Sequence, residues 1–169
     1  MRGDLKNARK PAHRVAAEKV RPLPTAAAQS TVLNNGRDLG DLRELALELM
    51  NGALDKKALM PVLIDVSAMA SYTDFIGIVS GRSDRQVDAI ADHITAMMKA
   101  RGRHVLGHEG GGNGRWTLLD FGSIVIHVFY HPVREFYDLE SLWIDAPRVK
   151  MAIPPEAMIT QPDALYGAL

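Results

Sequence analysis

Apolar residues recur at helical spacing in two stretches of the chain. The first stretch begins at Asp38, which can cap a helix, and predicts a helix to about Lys57. Its apolar positions are Leu42, Leu45, Ala46, Leu49 and Ala53. The second begins after Ser83, which with Gln86 three residues later fits a capping box, and ends at Gly102. Its apolar positions are Val87, Ile90, Ala91, Ile94, Met97 and Met98.

Short apolar runs bounded by turn residues predict five strands. They cover 62–66, 75–80, about 103–107, 116–121 and 123–130. The second run is apolar on both faces, which predicts a central strand. The last two runs meet at Gly122 as an antiparallel hairpin, and the helix between runs two and three is long enough for a parallel crossover. Pro132 predicts the start of a final helix that ends near Trp143.

This order of elements predicts an α/β (α+β) fold in which helices cover a mixed five-stranded sheet. We expect three parts: a basic, mostly disordered arm at 1–37, a domain at 38–146, and a proline-containing extended tail at 147–169. The arm has 8 Lys/Arg and 2 Asp/Glu, a net charge of +6, and the rest of the chain balances it at −6. This charge has two interpretations. The arm contacts rRNA phosphates nonspecifically, or it is a solvated tail.

Composition narrows the class of protein. The chain has no Cys, which excludes disulfides and thiolate-bound metals and fits a reducing compartment. No apolar run approaches the roughly 18–20 residues of a membrane span, and no apolar stretch near Met1 predicts a secretory signal. The arm is Arg-rich, as organelle transit peptides are, but its prolines and few serines fit a transit peptide poorly. The predicted location is the cytoplasm.

Two glycine-containing segments raise the question of nucleotide binding. Segment 80–86 joins a strand to a helix N-terminus, where a phosphate could bind, but the Gly-Lys-Ser/Thr ending of a Walker loop is missing. A capped strand-to-helix turn is the favoured interpretation. Segment 107–114 contains five glycines but connects two strands, so it predicts a flexible loop and not a dinucleotide fingerprint.

Histidine and carboxylate patterns predict neither a metal site nor a catalytic group. The histidines of the predicted domain form no His-Glu-x-x-His motif, and His127 is predicted to be a hydrogen-bonded core residue. A metal-dependent phosphoryl enzyme needs converging carboxylates, and no Asp-x-Asp pair is present. We expect Asp74 to cap a turn and Asp120 to pair with an Arg or a backbone N–H. No cofactor is predicted.

Aromatic and charged side chains crowd the C-terminal part of the domain without catalytic order. Phe136 and Leu139 fit an inward stripe, and Ile124–Phe129 is needed for the core, whereas Trp116 follows the Gly-rich loop and is poorly placed for full burial. Exposed aromatics near Arg134 are typical of an interface hot spot. The alternative interpretation is that these aromatic side chains form a lid over a hydrophobic edge of the domain.

Six segments carry a resemblance to a known family, in consistent order over roughly 38–145. They are SYTDF at 71–75, SGRSDRQV at 80–87, IAD at 90–92, WTLLDFG at 116–122, VIHVF at 125–129 and REFYDLESLW at 134–143. Together they resemble the Iojap (RsfS/YbeB) family of ribosomal silencing factors. The family commonly has an acidic residue after the glycine of the hairpin turn, where Ser123 stands here.

The resemblance implies a nucleotidyltransferase-like topology without catalytic carboxylates, and a protein that is not an enzyme. It implies binding to the large ribosomal subunit through ribosomal protein uL14, steric exclusion of the small subunit, repression of translation, and a homodimer when free. We expect the docking face to comprise Trp116, Leu118, Asp120, Arg134, Tyr137 and Trp143.

Two alternatives stay open. One is a degenerate or cryptic nucleotidyltransferase-type enzyme, with phosphate at 81–83 and Mg²⁺ at Asp65, Asp74 or Asp120. The other is a general RNA binder that uses the basic arm.

Overall fold

The computed structural model describes residues 38–110 and 115–158. The predicted arm at 1–37, the glycine-loop residues 111–114 and the end of the tail at 159–169 lie outside the described residues.

The described elements follow the predicted order, with shifted bounds. They are α1 (Leu39–Asp55), β1 (Leu59–Asp65), β2 (Phe75–Gly81), α2 (Asp84–Ala100), β3 (Gly107–Glu109), β4 (Trp116–Asp120), β5 (Ile124–Tyr130) and α3 (His131–Tyr137). Two short 3₁₀ helices follow at Leu139–Trp143 and Pro155–Ala157. Strand β3 begins at Gly107, so the predicted strand at 103–107 is wrong, and residues 103–106 are a connection.

The five strands form one mixed sheet in the order β1-β2-β5-β4-β3. Strands β2 and β5 are parallel, and the other neighbours are antiparallel. The predicted five-stranded mixed sheet and hairpin are therefore confirmed, and β2 is buried at every position, as predicted. Strands β2 and β3 run in the same direction, but β5 and β4 lie between them.

The turn into α2 is closed by side-chain hydrogen bonds. The Ser83 hydroxyl accepts from the Gln86 N–H at 3.2 Å, as a capping box requires. The Gln86 side-chain oxygen accepts from the Arg82 N–H at 2.7 Å, one residue earlier than the standard box. Its amide group donates to the carbonyls of Lys56 and Lys57 at 3.1 and 2.9 Å, so it also ties α2 to the chain after α1.

The sheet has two apolar faces. Helices α1 and α2 pack on the first face, where inward residues of the strands and helices form the larger core. On the second face a smaller cluster packs beneath α3, the 3₁₀ helix 139–143 and the chain that follows it. This cluster contains Ile64, Val66, Ile76, Ile78, Phe129 and Ala146.

The chain after α3 returns to β1. The Asp65 N–H donates to the carbonyl of Pro147 at 2.9 Å, and the Val149 N–H donates to the carbonyl of Leu63 at 2.8 Å. Val149 is buried in the larger core. Val149 and Ala157 are both buried, so the described part of the predicted tail packs against the rest of the domain.

Candidate docking face

Three of the predicted docking residues lie on one side of β4. Trp116, Leu118 and Asp120 alternate along the strand and are all partly exposed. Thr117 and Leu119 point to the opposite side and are buried. The structure therefore brings the three residues together on the second face of the sheet.

Trp116 is held by a ring contact and a hydrogen bond. Its ring stacks on Phe129 with centroids 4.9 Å apart, and its indole N–H donates to Nδ1 of His127 at 3.2 Å. Burial lowers the pKa of His127 from 6.5 to about 4, so the imidazole is neutral and can accept this bond. The prediction of a hydrogen-bonded core histidine is confirmed.

An aromatic chain continues from Trp116 to the solvent. Tyr137 lies 5.0 Å from Trp116 between ring centroids, and Phe136 lies edge-on to Tyr137 at 5.3 Å. Phe136 is 82% exposed, so its predicted place in the core is wrong. The inward positions of α3 are His131 and Arg134. Because both residues are polar, the hydropathy pattern of the sequence does not show which side of this helix faces the core.

These rings border an open cleft of about 550 Å³. Trp116, Tyr130, Phe136 and Tyr137 line it, together with Arg115. An aromatic wall beside a basic side chain suits contact with a protein or nucleic-acid surface.

Arg134 lies beneath the candidate face and not on it. It is 6% exposed. Its Nε–H donates to Glu140 at 2.7 Å, and a second nitrogen pairs with the same carboxylate at 2.5 Å. Its third nitrogen donates to the carbonyl of Met60 at 2.7 Å and the hydroxyl of Ser80 at 3.1 Å. The predicted role of Arg134 as an exposed docking cation does not fit this burial.

Burial also perturbs the pKa values of Arg134 and His131. Burial lowers the pKa of the Arg134 guanidinium, and the adjacent Glu140 carboxylate opposes that effect. Burial likewise lowers the pKa of His131, whose Nδ1 lies 3.1 Å from the Ser80 hydroxyl. The Arg134 guanidinium is therefore buried and hydrogen-bonded, whereas the Glu140 side chain is 24% exposed.

The last predicted docking residue, Trp143, lies in the 3₁₀ helix 139–143. It is partly buried and packs against the smaller core cluster that Trp116 also borders. The prediction of one continuous helix to Trp143 is wrong, because Asp138 adopts a left-handed conformation (φ 43°, ψ 52°) that ends α3. Exposed Leu142 and Ile144 flank Trp143.

The polar groups considered for catalysis have local partners. Asp65 accepts from the N–H and hydroxyl of Ser67 at 3.1 and 2.6 Å. Asp120 accepts from the Gly122 N–H at 2.7 Å, which confirms its predicted backbone pairing. Across residues 38–110 and 115–158, no group of three or more His, Cys, Asp or Glu could hold a metal ion. The capping role of Asp74 stays a prediction.

No helix in the described part of the chain is long and apolar enough to span a membrane.

The fold and the candidate face define an α+β domain whose mixed sheet leaves an aromatic-bordered face partly uncovered. The sequence profile of the family described as "Ribosomal silencing factor during starvation" matches residues 40–164. This chain belongs to that ribosomal silencing factor (RsfS, or Iojap) family. The match extends beyond the stretch of roughly 38–145 over which the sequence motifs resemble the family.

Known relatives agree with this assignment. Ribosomal silencing factor RsfS of Halalkalibacterium halodurans is 37% identical over 109 residues, which cover 64% of this chain and 93% of that protein. A crystal structure of a Chromobacterium violaceum protein superposes with a TM-score of 0.58 at 30% identity, covering 70% of this chain and 95% of that one. A mouse protein named "Mitochondrial assembly of ribosomal large subunit protein 1" is 37% identical, covering 48% of this chain and 37% of that protein.

Proposed function

We propose that this protein represses translation by binding the large ribosomal subunit through ribosomal protein uL14 and blocking the small subunit sterically. Membership of the silencing-factor family supports a regulatory role at the ribosome. The name of the mouse relative supports the large subunit as the partner. The observation that carries the docking proposal is the partly exposed row Trp116, Leu118 and Asp120 beside an aromatic cleft.

Each proposed contact has a distinct physical part. Trp116 and Tyr137 supply large apolar area, and their mutual packing fixes them before binding, which lowers the entropy cost of association. Leu118 lies between Trp116 and Asp120 and would be buried at the centre of the contact. Asp120, already held by Gly122, would present its remaining oxygen lone pairs at the edge, and Trp143 would extend the apolar area.

Repression by this route is occlusion and needs no catalytic turnover. The degree of repression follows occupancy, so it rises as the protein concentration exceeds the Kd for the large subunit. The nucleotidyltransferase alternative gains no support from the described residues, since Asp65 and Asp120 bond to local turns and the Ser83 hydroxyl caps α2.

A charge placed at the centre of the face tests the docking proposal. Leu118→Glu should lower affinity for purified uL14 by about a hundredfold, because a carboxylate would be desolvated without a partner. The matched control is Leu39→Glu, the same change at a 43% exposed leucine in α1, on the opposite side of the sheet. Calorimetric titration measures both. Equal affinity of Leu118→Glu and wild type would exclude this face as the uL14 contact.

The cytoplasmic location, the homodimer of the free protein and the rRNA contact of the arm at 1–37 are proposals of the same kind. Sedimentation equilibrium at micromolar protein tests the dimer, and a monomer at that concentration would contradict it. Binding to ribosomal RNA that weakens steeply with salt and is lost on deletion of 1–37 would support the arm's role.

A further inference from the structure

The segment that carries Tyr137 and Trp143 is built from two very short helices. Helix α3 has 7 residues, and the 3₁₀ helix that follows has 5. Helices this short are not stable alone, so contacts with the rest of the protein must set their position. The junction between them is the left-handed residue Asp138.

Arg134 is the buried group that joins this segment to the sheet. Its guanidinium contacts Glu140 in the 3₁₀ helix, the carbonyl of Met60 in β1 and the hydroxyl of Ser80 in β2. One side chain in α3 therefore links three other elements. A planar guanidinium directs N–H donors to all three partners at once. A lysine ammonium, a single charged group on a flexible chain, cannot reproduce this arrangement of donors.

The β1 partner is itself an unusual piece of backbone. Met60 has a positive φ of 48°, and the pairing of β1 with β2 shifts register between Leu59 and Val62. Strand irregularities of this kind re-aim backbone groups. Here the Met60 carbonyl lies 2.7 Å from the Arg134 guanidinium.

We propose that Arg134 is the positioning residue of the docking face, holding segment 136–143 so that Tyr137 and Trp143 are in place before the partner arrives. Arg148 supplies an outer, exposed counterpart, since it donates to the carbonyls of Trp143 and Glu140 at 3.0 and 3.3 Å. The consequence for binding rests on the proposed function, but the positioning itself does not.

Hydrogen–deuterium exchange of the full-length protein tests the positioning directly. Arg134→Lys keeps the positive charge but removes the set of guanidinium hydrogen bonds. The backbone amides of 136–143 should therefore exchange about tenfold faster, while those of α1 and β2 keep their rates. Arg101→Lys is the matched control, because Arg101 pairs with Glu48 at the protein surface, away from this segment. Unchanged exchange in 136–143, or an equal rise throughout the protein, would overturn the proposal.

A second variant keeps the test decisive if Arg134→Lys does not fold. Glu140→Gln leaves Arg134 in place and weakens only its link to the 3₁₀ helix. It should speed exchange in 136–143 selectively, by a smaller factor than Arg134→Lys. Wild-type rates in that segment would contradict the proposed link.

Affinity for uL14 separates positioning from general destabilisation. Introduced alone, Arg134→Lys should weaken binding to uL14 about tenfold. In a protein that already carries Tyr137→Ala and Trp143→Ala it should have little effect, because the side chains that Arg134 positions are absent. An equal loss in both backgrounds would reject positioning through these side chains. If the wild type does not bind uL14, the proposed function fails, and the exchange result still decides the role of Arg134.

Discussion

Acidification should destabilise this protein through His127. Its pKa in the folded protein is about 4, below the ordinary 6.5, because burial disfavours the charged imidazolium. Between these two values the unfolded chain binds a proton that the folded chain does not. The contribution to stability is therefore complete above pH 6.5 and is lost as the pH falls toward 4.

The size of the effect follows from the two pKa values. One pKa unit corresponds to about 1.4 kcal/mol, so His127 should remove about 3 kcal/mol from the free energy of unfolding between pH 7 and pH 4. The same protonation removes the acceptor for the Trp116 indole N–H, because Nδ1 then carries a hydrogen. Acid should therefore loosen Trp116 as well as lower global stability.

Urea unfolding at several pH values measures this contribution. Other groups titrate in the same range, so the comparison is with His127→Gln, whose amide oxygen can accept from Trp116 and does not ionise. The difference between wild type and variant should change by about 3 kcal/mol across the interval. Parallel curves that differ by a constant amount would refute the assignment of a buried, neutral His127.

Three further substitutions test the local structure. Gly122→Ala should lower the free energy of unfolding in urea by about 1–2 kcal/mol, because Gly122 has a φ of +84° in the hairpin turn. The strain comes from the backbone and not from a clash, since the nearest atom to a new Cβ lies at 3.4 Å. An unchanged free energy of unfolding would contradict the turn geometry. Phe136→Ser should change thermal stability by less than about 0.5 kcal/mol, since this ring is 82% exposed, and a loss typical of a core phenylalanine would contradict its placement. Arg101→Gln should lower the free energy of unfolding by less than about 1 kcal/mol, and by less still at high salt, because its ion pair with Glu48 is exposed. A larger loss that does not change with salt would indicate a buried pair.

The fold could be predicted from sequence where side-chain periodicity determines structure. Helices α1 and α2 have long apolar stripes and good caps, and β2 is apolar on both faces, so each was predicted close to its observed bounds. The short strand β3 was misplaced because its three residues, Gly-His-Glu, carry no hydrophobic signal. Its position depends on hydrogen bonds to β4, which a local pattern does not contain.

The candidate face was predictable in part. Alternation along β4 places Trp116, Leu118 and Asp120 on one side, and this follows from strand geometry alone. The roles of Arg134 and Phe136 were exchanged, since a charged residue was assumed to be outside and an aromatic one inside. The partners that make burial of Arg134 possible come from Met60, Ser80 and Glu140, at sequence separations of 74, 54 and 6 residues.

The central proposal is that docking of the β4 face keeps the ribosomal subunits apart. Sedimentation of purified large and small subunits with saturating protein tests it most directly. We expect wild type and Leu39→Glu to leave the subunits separate, and Leu118→Glu to allow them to join. Whole ribosomes that form unhindered at saturating wild-type protein would contradict the proposal.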